Sequence, residues 1–185
     1  MTTRLCSITL SAAIAAVIPL APSSLAAPAG SVTVAQEARE TLRDLKVAAS
    51  SASTDADLLE FWSQNSTHGA EAQVGPLAEL KQQVNSMSRL AAELEARRAS
   101  LEPWEQQAVD KAIPLVHEAV ANTEKAIVFF NDNRSFLWSA DYRRYLEKVD
   151  RDSRAIAKTL NNYLKYQKVH EEEKQLETAI EAGGH

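Results

Sequence analysis

From Pro76 onward, apolar residues recur every three or four positions. Leu77, Leu80, Val84, Met87, Ala91, Leu94 and Leu101 form one seam, interrupted at Arg98. That spacing gathers side chains on one face of a helix built to pack against others. Proline suits a first helical position, so Gly75-Pro76 marks the expected start. The same reasoning starts another helix at Pro103, ahead of Trp104. Its broad apolar face holds Val109, Ala112, Ile113, Val116, Ala119, Val120, Ala126, Ile127 and Phe130. Pro114 falls inside it on the opposite face, where the missing N–H predicts a bend.

Asn131-Asp132-Asn133 ends this pattern with turn-forming side chains. Ser139 is placed to cap the last helix and Asp141 to complement its dipole. That helix is expected from Ala140 to about Ile180, with Tyr142, Tyr145, Val149, Ile156, Leu160 and Tyr163 facing inward. At 1.5 Å per residue it spans roughly 60 Å, and its end, HEEEKQLETAI, is expected to project or fray. Ahead of Pro76 the signal is weaker. Val34, Ala38, Leu42, Leu45 and Ala49 make a stripe that the serine-rich SSAST is expected to end. Thr54 and Asp57 then open a short helix through Trp62, and QNSTHGAEAQVG reads as a loop or a partly helical linker. Short connections after the second and third helices force antiparallel neighbours. The expectation is an all-α fold, an up-and-down four-helix bundle with a long C-terminal helix.

Six of the eleven aromatic residues fall in FFNDNRSFLWSADYRRY, from Phe129 to Tyr145. Large aromatics dominate the energetics of cores, so this stretch is read as a plug closing one end of the bundle. Segments PWEQQAVDKAIPL, ANTEKAIVFFN and YRRY resemble those of uncharacterised, exported helical proteins of bacteria, over roughly residues 60–170. The resemblance implies export and an all-α fold; it rests on helix-packing residues and carries over no functional residue.

The N-terminus points the same way. Arg4, the apolar run Ile8 to Leu20 and the Ser24-x-Ala26 site form a secretory signal peptide pattern, with cleavage expected after Ala26. Pro19 and Pro22 interrupt the only candidate span, so the mature chain is expected to lack a transmembrane segment. The expected organisation is one domain over residues 27–182 and a disordered tail over 183–185. The destination is the periplasm or the exterior. Cys6 leaves with the signal, so disulfides, thiolate chemistry and covalently attached haem are excluded from the mature chain.

Charge and glycine usage narrow the function classes. The mature chain carries 19 basic and 25 acidic residues, which argues against nucleic acid as a partner. Residues 76–182 contain no glycine, which removes phosphate-cradling loops there. His117-Glu118 and His170-Glu171 each begin a zinc-helix motif, but Ala121 and Lys174 stand where the second histidine belongs. Neither an enzyme nor a metal or other cofactor is expected. Met87 and His117 keep a haem- or metal-binding bundle as a third alternative.

One charged feature stands out. Arg144, Arg151, Lys158 and Lys165 recur every seven residues, with Arg154 and Lys168 alongside. Residues 134–168 hold nine basic and four acidic side chains. A basic ridge can dock an anionic lipid or cell-wall polymer as a peripheral envelope binder. It can also be a solvated face knit by the pairs Glu147–Arg151 and Asp150–Arg154. The expected function is interaction with a protein partner or with itself; the ridge supplies the alternative.

Overall fold

The computed structural model describes residues 29–64 and 68–183, with side chains from Gln36 onward. The expected signal peptide, its cleavage site and the last two residues lie outside the described residues. Four helices account for nearly all of the described chain: α1 (Ala29–Gln64), α2 (Ala70–Ala96), α3 (Pro103–Asp132) and α4 (Ala140–Gly183). A short 3-10 turn, Arg98–Ser100, follows α2. Helix α1 packs on α2 and α4, and α3 packs on the same two, so the four close a ring in chain order. The expected all-α four-helix bundle is the observed fold.

The α2 seam is buried as its spacing requires, from Leu77 to Leu94, and Leu101 beyond the helix is buried too. Across it lie Leu42, Leu45 and Leu59 of α1, Val109 and Val116 of α3, and Leu146, Ile156 and Leu160 of α4. Each fully buried side chain of this size contributes about 1.5–3 kcal/mol. Pro114 lies exposed on the outer side of α3. At the start of α4, Ser139 Oγ accepts the backbone N–H of Tyr142 at 3.2 Å, the expected cap.

Three boundaries differ from the sequence reading. Helix α1 continues through SSAST without a break. Its hydroxyls turn back onto their own helix, Ser50 Oγ to the Lys46 carbonyl at 3.0 Å and Thr54 Oγ1 to that of Ser50 at 3.1 Å. The small residues Ala48, Ala49, Ala52 and Ala56 are buried there, so tertiary packing outweighs weak propensity. Helix α2 begins at Ala70, six residues before Pro76, which therefore sits inside the helix. Gly183, expected in the tail, still belongs to α4.

Candidate interaction surfaces

The buried positions of α4 follow an unbroken alternation of four and three: Tyr142, Leu146, Val149, Ser153, Ile156, Leu160 and, half-buried, Tyr163, then Gln167. Extending the same row gives His170, Lys174, Glu177 and Glu181, all exposed. The inward row turns polar after Gln167. Apolar side chains reappear on the other side of the helix, as Val169, Leu176 (64% exposed) and Ile180 (73% exposed). From Lys168 to Gly183 every residue is exposed. This part of α4 has no buried residue, and its apolar side chains lie on the side opposite the inward row.

All six predicted ridge residues are exposed on α4. Eleven residues are nearly three helical turns, so Val169 and Ile180 continue the line of Lys158, and Leu176 that of Lys165. The ridge and the apolar row thus share one face. Acidic neighbours engage part of the ridge. Arg144 pairs with Asp141 at 2.7 Å, Arg154 with Asp150 at 2.7 Å and Asp57 at 3.5 Å, and Lys168 with Glu172 at 3.7 Å. Arg151 pairs with buried Asp152 at 2.9 Å, where the sequence pointed to Glu147. Lys158 and Lys165 have no ion-pair partner among the described residues.

Where α4 departs, one side chain ties three helices. Arg39 of α1 reaches Glu171 at 2.6 Å, Glu102 at 3.3 Å and Glu105 at 3.6 Å. Glu105 is fully buried, and its Oε2 accepts the Glu102 backbone N–H at 2.8 Å, capping α3. Burial pushes its carboxyl above the usual range, and the Glu102 N–H and the Arg39 guanidinium offset only part of that rise. Beside this tie lies a groove of about 790 Å³ between α3 and α4, with Trp104, Lys111, Tyr163, Tyr166 and His170 among its walls. Lys111 Nζ stands 5.3 Å from the centre of the Tyr163 ring.

The aromatic stretch divides between interior and solvent. Phe130, Leu137 and Tyr142 are buried and close the bundle end, with Phe129 stacked on Tyr142 at 5.7 Å. Phe136 (55% exposed) and Trp138 (57% exposed) point outward and pack on each other at 5.8 Å. The plug is therefore built from only part of that stretch, because the tight turn from Asn133 to Ser139 sends alternate residues in and out. Met87 is enclosed in the core, whereas His117 is exposed on α3. Among the described residues, no group of three or more His, Cys, Asp or Glu is placed to hold a metal, and no helix is long and apolar enough to cross a membrane.

Val169, Leu176 and Ile180 are what sequence reading missed as a surface. The signal was present, since the inward row turns polar at His170. Compared with protein-family models, curated proteins and solved structures, the chain matches none.

Proposed function

We propose that this chain is an exported, non-catalytic helical bundle that acts by binding, and that its principal contact is self-association along the solvent face of α4. The observation that carries this reading is the change of face at Gln167. An apolar row on a helix that has left its own bundle requires cover from another chain, because an isolated helical segment is marginal in water. The charges favour a second copy as that cover. Residues 169–183 hold five acidic and one basic side chain, while residues 134–168 hold nine basic and four acidic. An antiparallel pair of α4 helices brings the acidic end of each alongside Arg144 and Arg151 of the other. In that register Val169, Leu176 and Ile180 of each copy lie along the Arg144–Lys158 face of the other, against the aliphatic stems of its basic side chains. Export rests on the N-terminal pattern alone.

The test is sedimentation at low and high salt, with wild type, Arg144→Glu/Arg151→Glu and Leu176→Glu/Ile180→Glu. Wild type is expected to be dimeric at low salt and to weaken as salt rises, since exposed charges are screened over about 8 Å at physiological ionic strength. Both double variants are expected to be monomeric and folded. A wild type that is monomeric at all concentrations and salts overturns the reading.

Lys158 and Lys165, which lack acidic partners among the described residues, favour a second reading, in which the ridge docks an anionic lipid surface. Salt-sensitive retention of wild type on anionic vesicles, lost on reversing these two lysines, would select it.

A further inference from the structure

A second site, independent of the α4 face, lies at the end of the bundle where α1 stops, α2 starts and α3 turns into α4. There a pocket of about 260 Å³ is lined by Trp62, His68, Gln73, Arg134, Ser135 and Trp138 among others. The up-and-down topology brings these residues together from three separate stretches of sequence. Trp62 and His68 stack at 5.0 Å with their planes 16° apart, giving the pocket one flat wall. Gly69 and Ala70, at the N-terminus of α2, form part of its lining.

Gln73 is the anomaly. It is 1% exposed, and among the described residues neither its amide nitrogen nor its amide oxygen has a hydrogen-bond partner. A buried, unpaired amide is costly, and replacing it with an apolar side chain of similar size is ordinarily neutral or favourable. Its presence therefore calls for a ligand that supplies one donor and one acceptor together. A second feature specifies charge. Helix α2 opens at Gly69 without a side-chain cap; the Ala72 N–H turns back to the Gly69 carbonyl at 3.1 Å, which leaves the N–H groups of Ala70 and Glu71 and the positive end of the dipole available to an anion. Arg134 adds a guanidinium whose ion pair is a loose one, at 3.8 Å from Glu71 Oε1, and Glu71 is almost fully in solvent.

We infer that this pocket binds a small carboxylate that also carries a secondary amide, namely an N-acylated amino acid or the C-terminal end of a peptide. The carboxylate meets Arg134 and the start of α2. The ligand's N–H and C=O pair reciprocally with the Oε1 and Nε2 of Gln73, and its amide plane lies against the Trp62–His68 wall. A sulfate satisfies the cationic end but offers no donor to the Gln73 oxygen. The volume is just below the range of about 300–1,000 Å³ common for small-molecule sites, which limits the ligand to one or two residues.

The probe is N-acetyl-L-alanine, titrated into the mature protein and followed by tryptophan fluorescence and calorimetry. Comparators are its N-methylamide, which lacks the carboxylate, and propionate, which lacks the amide. N-acetyl-L-alanine is expected to saturate, with both comparators at least about tenfold weaker. Gln73→Leu is expected to weaken the probe by about tenfold or more while raising the thermal midpoint of the unliganded protein. That combination marks a residue kept for a ligand and not for the fold. Arg134→Gln, at an exposed position, is expected to leave the fold intact and abolish the preference for the carboxylate. Absence of saturation by N-acetyl-L-alanine overturns the inference. So does propionate binding as well as the probe, a lowered midpoint in Gln73→Leu, or an unchanged carboxylate preference in Arg134→Gln.

Discussion

Arg39 Nη1 lies 2.6 Å from Glu171 Oε1, and this contact between α1 and α4 marks the point where α4 leaves the bundle. The same guanidinium faces buried Glu105 at the start of α3. Removing it unties α4 and strips a buried carboxylate of its cation.

Arg39→Gln is accordingly expected to destabilise the protein by about 1–3 kcal/mol, the cost of leaving a buried polar group without its partner. Amide exchange should quicken over residues 163–171 and stay unchanged near Leu146. Equal quickening at both places would show that Arg39 serves the whole core and not this junction.

Glu105 sets a pH dependence. Its carboxyl lies above the usual range in the folded protein, chiefly through burial, so the folded state holds that proton more tightly than the unfolded chain does. Its contribution to stability is greatest below the ordinary glutamate value and is lost as pH rises through the raised folded value. Asp55 and Glu60 act in the same direction, each through burial first and then through acidic neighbours. Thermal midpoints measured from neutral pH downward should therefore rise as the solution becomes mildly acidic, before other carboxylates protonate. Glu105→Gln should flatten that rise.

Leu94 and Gln82 separate the two faces of α2. Leu94 is fully enclosed and Gln82 is in solvent. Leu94→Ala should cost about 2–5 kcal/mol through lost burial and a residual cavity, whereas Gln82→Ala should stay within about 0.5 kcal/mol. Denaturant midpoints of the two variants provide the check.

Tyr142 buries its ring completely, and its hydroxyl has no hydrogen-bond partner among the described residues. Burial drives the phenol well above its ordinary value, so it stays neutral throughout the accessible pH range. Tyr142→Phe should leave the Phe129 stacking in place and raise stability by about 1 kcal/mol, because an unpaired buried hydroxyl is removed. A lower unfolding midpoint in this variant would contradict that account.

Truncation after Glu172 keeps the Arg39–Glu171 contact and, among the described residues, removes only exposed ones. Stability is expected to change by no more than about 0.5 kcal/mol, while self-association disappears along with Leu176 and Ile180. Sedimentation and thermal unfolding of the same sample separate the two effects.

Much of the fold is legible locally, because a seam such as Leu80, Val84, Met87, Ala91 and Leu94 records helical geometry in its own spacing. Pro103 and Ser139 mark helix starts for equally local reasons, a missing N–H and a hydroxyl cap. The SSAST stretch is different. Ser53 Oγ donates to Asp150 Oδ1 at 2.6 Å, a partner 97 residues away. Intrinsic propensity argues for a break there, and only the approach of α4 to the small side chains of α1 removes it.

The sequence by itself determined that this chain is helical, where three of its four helices pack, and that the inward row of α4 turns polar beyond Gln167, since each of these is a periodicity within one segment. The tertiary structure decided which face of α4 looks outward, and so that Val169, Leu176 and Ile180, in line with Lys158 and Lys165, are exposed. It also decided that Gln73 is buried, with no hydrogen-bond partner among the described residues, beside Arg134, which lies far along the chain from it. Such juxtapositions depend on how helices close into a ring, and chain spacing carries no record of residues meeting across it.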